Sequence, residues 1–226
     1  MPNDSREKIL RRIREALAVK APARHLATGG SPADGHAAAD WLPPVPDSPG
    51  GLLALFEKNS ADLKTEVIHC ADAASVESAL AALARDGSWN SVGSHGFALG
   101  EAAVQALGLP IVRTDRDYET SALERCDAGI SGCDCLVAQT GGIMVTAASA
   151  GGRALSVLPP HHVVIASRSQ IVGDLSDAFA RLRKSGAGIP AFVSFITGPS
   201  RTGDIERILV LGAHGPKRLT VLLLDA

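Results

Sequence analysis

Long apolar runs are missing from this chain of 226 residues. The best stretches, Leu219 to Leu224 and Val163 to Ala166, fall far short of the roughly 18 consecutive apolar residues a bilayer-spanning helix needs. No membrane span is expected. One-sided charge is missing as well: 22 Lys+Arg against 24 Asp+Glu leave a net charge of −2, without the broad positive field that draws proteins to nucleic acid. No nucleic-acid partner is expected. The acid-bearing start Met1-Pro2-Asn3-Asp4-Ser5-Arg6-Glu7-Lys8 lacks the unbroken apolar region and small-residue cleavage site of an export signal. Cysteine is scarce, 4 in all, and its spacing matches no disulfide framework, so reduced thiols and a cytoplasmic location are expected.

Catalytic signatures are also lacking. The stretch around Ser200 reads Gly198-Pro199-Ser200-Arg201-Thr202 and is no G-x-S-x-G elbow, and no H-E-x-x-H occurs. Cys133-Asp134-Cys135 lacks the C-x-x-C pairs of zinc and iron–sulfur sites, and His161 and His162, adjacent on a strand, would point to opposite faces and make a poor chelate. No metal ligand set, and no flavin, nicotinamide or cluster site, is legible.

What is present suits an ordinary folded domain: 46% of residues are hydrophobic and 20% charged, enough apolar surface to bury a core. Residues 1–19 read as an amphipathic helix, with Ile9, Ile13 and Leu17 at steps of four and Arg6, Lys8, Arg11, Arg12 and Arg14 around them. It is either a solvated face or a docking helix for a partner. Residues 20–51, rich in Ala, Gly and Pro, read as a flexible linker in which Trp41 alone offers an anchor. Residues 52–226 read as one compact domain.

Within that domain helices are expected over residues 52–61, 73–85, 97–107 and 170–184. Strands are expected over 66–69, 91–93, 111–113, 135–138, 143–146, 155–158, 163–166, 191–196 and 219–224. Continuous apolar strands separated by helices predict an α/β fold, an open and mostly parallel sheet covered by helices on both faces. Ligands bind such sheets beyond the carboxyl ends of the strands, so the loops there carry the candidate site. The first loop, Gly93-Ser94-His95-Gly96, runs from a strand into a helix and offers Ser94 and glycine amides, or is an ordinary Gly-rich turn. It is neither G-x-G-x-x-G nor a Walker A. The second, Gln139-Thr140-Gly141-Gly142, permits positive φ or close ligand approach, and serves equally as a tight hairpin turn.

The third loop is the most informative. Thr197-Gly198-Pro199-Ser200-Arg201-Thr202-Gly203 follows a strand directly and assembles hydroxyls, glycine amides and one guanidinium, the groups that grip a carboxylate or phosphate with direction. Asp204 and Glu206 cap a helix, pair with Arg201 or handle a proton. His214, between Gly212-Ala213 and Gly215-Pro216, is an acid–base candidate or a turn histidine bonded to backbone. The ligand set is thus Ser94, Thr140, Gly141, Gly142, Gly198, Ser200, Arg201 and Thr202, with Asp204, Glu206 and His214 as catalytic candidates and all three loops expected around one cleft.

The run Ile196-Thr197-Gly198-Pro199-Ser200-Arg201-Thr202-Gly203-Asp204-Ile205-Glu206, followed by Val210-Leu211-Gly212-Ala213-His214-Gly215-Pro216 and a closing apolar strand, resembles the signature of the LUD domain, and more narrowly the lactate-utilisation protein C family. Thr140-Gly141 and Leu158-Pro159-Pro160-His161 stand in the expected order. The resemblance implies a fold similar to the ribose-5-phosphate isomerase and CoA-transferase group. It also implies a part in oxidising L-lactate to pyruvate beside iron–sulfur partner proteins, in which the redox clusters are expected. Two positions depart from the family. Gln139 stands where the family commonly has an acid before Thr-Gly-Thr, which removes a carboxylate nucleophile there, and Gly203 stands where Ala is usual. Two other functions compete: a stand-alone enzyme on a phosphorylated or CoA-linked metabolite, and a non-catalytic scaffold docking through the basic helix.

Overall fold

The computed structural model describes residues 3–18, 43–184, 190–203, 209–211 and 215–225. The chain divides into two compact units, Met1–Pro43 and Pro44–Ala226. The first contains α1 (Asn3–Ala18), on which Ile9 and Ile13 are exposed and Arg11 lies 3.8 Å from Glu15 one turn on. Residues 19–42, and with them Trp41, lie outside the described residues. The Ala/Gly/Pro stretch expected to run to residue 51 is helical before it ends, because Pro49 opens α2 (Pro49–Asp62) and the Ser48 hydroxyl accepts from the Gly51 N–H at 3.1 Å. Serine satisfies the free amides of a first turn and proline is preorganised for it, so the segment is a helix start.

The elements that follow are β1 (Glu66–Cys70), α3 (Ala73–Asp86), β2 (Val92–Ser94), α4 (Glu101–Ala106), β3 (Ile111–Arg113), α5 (Thr120–Glu124), β4 (Ala128–Ser131), β5 (Cys135–Val137), β6 (Gly142–Thr146), α6 (Ala147–Ala150), α7 (Arg153–Val157), β7 (His161–Ser167), β8 (Ile171–Val172), α8 (Leu175–Lys184), β9 (Val193–Ile196), β10 (Arg201–Gly203), β11 (Leu209–Leu211) and β12 (Arg218–Leu224). The α/β class holds. Six strands form a parallel sheet in the order β1-β12-β7-β4-β2-β3. The sequence pattern did not anticipate a second sheet, β8-β5-β6-β9, in which β6 runs antiparallel to both β5 and β9. A small antiparallel pair, β10 and β11, completes the strands.

Alternation along the strands sets the layers. Leu222 and Leu224 of β12, with Val163 and Ile165 of β7, pack on Val76 and Leu80 of α3 and Val104 of α4. The intervening Leu219, Val221 and Leu223, with Val164 and Ala166, pack on Phe56 of α2 and on Leu136, Ile143 and Val145 of the second sheet. The outer face of that sheet, Cys135, Val137 and Met144, is covered by α8 through Ala178. The second sheet therefore shares with α2 the face that helices alone were expected to cover.

Three local expectations change. Residues 155–158, apolar enough to read as a strand, form instead the last turn and C-cap of α7, with Leu155 buried against Leu123 and Cys126. The helix expected from residue 170 begins at Leu175, because Ile171 and Val172 pair with Leu136 and Val137 and Asp174 accepts from the Asp177 N–H at 2.9 Å. The helix expected from Phe97 begins at Glu101. One strand had no visible signal: Ala128-Gly129-Ile130-Ser131 is small and mixed, yet it is buried throughout. A Cβ on Gly129 would come within 2.4 Å of the Leu155 carbonyl oxygen, so α7 rests directly on the backbone of β4.

That contact predicts that Gly129→Ala, a single added methyl, lowers stability by about 1–3 kcal/mol through overpacking. Urea unfolding of the two proteins checks it; an unchanged midpoint would mean that α7 does not bear on β4.

Candidate functional site

Four hydroxyls and two guanidiniums converge where α7 faces β9. The link before α7 is made by Gly151 at φ 67° and Gly152 at φ 112°, backbone that favours glycine. A Cβ on Gly151 would also strike Thr114 Oγ1 at 2.3 Å and His95 Nδ1 at 2.5 Å. The turn aims α7 so that Leu155 enters the core while Arg153, Ser156 and Val157, at i, i+3 and i+4, share the opposite face.

Opposite stands β9, an edge strand. Val193 and Phe195 pack outward, Phe195 against Phe179 at 5.5 Å between ring centroids, so Ser194 and Ile196 take the inner side, opposite Val145 and Ile143. After β9 the chain turns at Gly198, φ 90°, where a Cβ would meet the Leu63 carbonyl oxygen at 2.4 Å. Ser200 N–H then donates to Pro216 O at 2.8 Å, and Arg201 Nη2 reaches Thr197 O at 3.5 Å. The cavity enclosed, about 410 Å³, is lined by Arg153, Ser156, Val157, Ser194, Ile196, Thr197, Gly198, Pro199, Ser200, Arg201, Gly215 and Pro216. Among the described residues its lining holds two cations and no carboxylate, and neither Arg153 nor Arg201 has a carboxylate within 4 Å.

The third loop thus brings Gly198, Ser200 and Arg201 to one cavity. Thr202 lies on β10, where only its backbone is described, and Asp204, Glu206 and His214 lie outside the described residues. Thr140, Gly141 and Gly142 form the hairpin turn between β5 and β6: Asn59 Nδ2 donates to Ala138 O and Gln139 O at 2.8 and 2.9 Å, Gly141 has φ 62°, and Gly142 N–H donates to Thr140 Oγ1 at 3.2 Å. That turn borders the cavity behind Thr197, with a Cβ on Gly142 lying 3.4 Å from Thr197 Cγ2, and does not line it.

Ser94 is elsewhere, and the expectation of one cleft for all three loops fails. Ser94 is buried at the carboxyl end of β2, its hydroxyl donating to His95 O at 3.2 Å. Ser200 is bonded to Pro216, just before β12 begins. Since β2 and β12 run parallel through β4 and β7, the two loops sit at opposite ends of the main sheet. The rule of carboxyl ends misleads here because β9 belongs to the second sheet. At the Ser94 end the cation beside Gly96 is already paired. Arg113, next to Gly96, is held by Glu101 at 2.9 and 3.0 Å and by Asp115 at 3.1 Å, a pairing that draws the Asp115 carboxyl down to about 2.

Sequence reasoning missed Arg153, Ser156 and Ser194 as site residues. A helical reading of residues 153–157 would have put Arg153 and Ser156 on one face, and alternation along β9 would have put Ser194 opposite the outward Phe195. The two histidines of β7 are not part of the cavity. The Thr220 hydroxyl donates to Glu66 Oε2 at 3.1 Å, so it accepts from His161 Nε2 at 2.9 Å, and the His161 ring meets Trp89 edge-on at 5.4 Å. His162 Nε2 bonds Ser131 Oγ at 2.9 Å and leaves Nδ1 buried without a partner. Burial pushes the two imidazoles down to about 4 and about 3. All four cysteines are buried and unbridged, and desolvation raises the Cys133 and Cys135 thiols, the latter to about 11. Among the described residues no cluster of His, Cys, Asp or Glu could hold a metal ion, and no helix is long and apolar enough to cross a membrane.

Residues 53–224 match the family model of the LUD domain. An uncharacterized protein of Neisseria meningitidis is 32% identical over 127 residues, 55% of this chain and 54% of that one. Lactate utilization protein C of Shouchella clausii is 30% identical over 139 residues, 61% of each chain. The aligned stretch therefore spans little more than half the length of these relatives. The crystal structure of a DUF162 family protein from Deinococcus radiodurans superposes with a TM-score of 0.63 at 25% identity, covering 79% of this chain and 99% of that one.

The buried imidazoles predict a pH dependence. The unfolded chain protonates them below about 6.5, whereas the folded chain keeps His161 neutral down to about 4 and His162 down to about 3. Their contribution is therefore complete above pH 6.5 and is lost as the pH falls toward 4 and 3, by up to about 1.4 kcal/mol per pH unit for each. Urea unfolding at pH 6.5, 5.5 and 4.5 (chosen to span this window, about one unit apart) should show the decline, and His161→Gln, which can still donate to Thr220, should flatten it. An equally steep decline in the variant would remove His161 as a cause.

Proposed function

The chain belongs to the LUD domain family, and from that premise we propose that it is a component of the bacterial system that oxidises L-lactate to pyruvate, holding a small organic anion in the cavity between α7 and β9. The observation that carries this reading is the pairing of two guanidiniums with hydroxyls in a lining that, among the described residues, has no carboxylate. The names of relatives such as lactate utilization protein C of Shouchella clausii point the same way.

A planar guanidinium grips a carboxylate through two parallel hydrogen bonds. Arg201 supplies that fork, tethered by Thr197 O, and Ser194, Thr197 and Ser200 stand by to orient a hydroxyl or keto oxygen. Oxidation of lactate removes two electrons and two protons. In this reading the chain holds and orients the carboxylate in the cytoplasm, and the electrons leave to iron–sulfur partner proteins of the same system.

Arg201→Ala tests the proposal. Loss of a charge-assisted contact costs about 1.5–3 kcal/mol, so affinity for L-lactate or pyruvate should fall roughly ten- to a hundredfold in isothermal titration. Arg201 is exposed, so the melting temperature should stay close to that of the parent, while growth on L-lactate of a strain carrying only the variant should fail. Unchanged affinity, or a collapse of stability, would return Arg201 to the scaffold.

A further inference from the structure

The cavity carries more positive charge and more room than a single small carboxylate uses. Arg153 and Arg201 come from separate elements, the first turn of α7 and the start of β10, and both are exposed at the rim of one cavity. Two like charges on one rim repel, and among the described residues no carboxylate offsets either. At the other end of the sheet the same chain supplies two acids to one arginine, Arg113. A monocarboxylate fills one guanidinium fork and leaves the other in want of an anion. The volume, about 410 Å³, falls in the range of roughly 300–1,000 Å³ that encloses ligands well above three carbons. The same lining holds the hydroxyls of Ser156 and Ser194 and the apolar side chains of Val157 and Ile196, a set that suits a short carbon spacer.

Resting on the reading of this cavity as an anion site, we infer that its preferred ligand is an organic dianion with an acidic group at each end of a short carbon spacer, one held by Arg201 and the other by Arg153. A dicarboxylate and a phosphorylated carboxylate share this chemistry. Arg153 is then the residue that selects against lactate-sized monoanions.

Isothermal titration of the full-length protein with L-lactate, succinate and phosphoglycolate tests the assignment. At least one two-acid probe should bind about tenfold or more tighter than L-lactate, the gain expected of a second charge-assisted contact. Which probe wins tells carboxylate from phosphate at the second position. Arg153→Gln should bring the ratio of the two affinities down to about one, and Arg153→Lys, which keeps the charge without the fork, should restore part of it. Melting temperatures confirm that the variants are folded. If L-lactate binds and neither two-acid probe binds tighter, or if the ratio survives Arg153→Gln, the dianion assignment falls and the anion site stands. If none of the three anions binds, both fall together.

Discussion

The insertion of β12 between β1 and β7 is the constraint on which the rest of the molecule depends. It is the last strand in sequence and occupies an inner position of the main sheet, bonded along Glu66–Cys70 on one side and His161–Ser167 on the other. Its alternating leucines reach both faces, toward α3 on one and toward α2 and the second sheet on the other. Its amino end also fixes the site, since Pro216, two residues before the strand, accepts the hydrogen bond that holds Ser200. Pairing of this kind joins residues more than 150 positions apart in sequence, as the Thr220–Glu66 bond does, and is favourable only once the intervening layers have formed.

Charge is handled oppositely at the two ends of the parallel sheet. Beyond the carboxyl ends, Arg113 is neutralised by Glu101 and Asp115 and Gly96 of the first loop lies against that pair. Toward the amino ends, Arg153 and Arg201 face a cavity whose lining, among the described residues, has hydroxyls and no acid. A neutralised guanidinium serves as scaffold, whereas two beside an open cavity raise the local concentration of anions. This difference, and not the position of glycines, marks the candidate site.

The second sheet explains why the loops separate. Gln139 to Gly142 is the hairpin that lets β6 return antiparallel to β5, and β9 pairs antiparallel to β6 from the other side. The end of β9 and the start of β6 thereby come to the same edge, which is why Gly142 borders Thr197. The loop after β2 belongs to another sheet and another end.

The helices α2 and α3, the strands of the main sheet with strong apolar runs, and the α/β class were legible in the sequence, because burial on both faces leaves a continuous apolar run. The Gly-Pro-Ser-Arg-Thr loop was legible as an anion-gripping set for the same local reason: its groups are neighbours along the chain. Arg153 was not, since an Arg-Ala-Leu-Ser-Val stretch between glycines and prolines fits strand and helix alike, and only the left-handed turn at Gly151, packed against His95 and Thr114, selects the helix. Nor was β4, whose small residues are demanded by the Leu155 carbonyl lying over Gly129. Composition and periodicity thus determined the α/β class, most of its regular segments and which loop is the candidate for gripping an anion. Only the tertiary structure decided which arginines share a cavity, because that depends on the direction in which each strand is paired, and a strand's direction is set by partners distant in sequence.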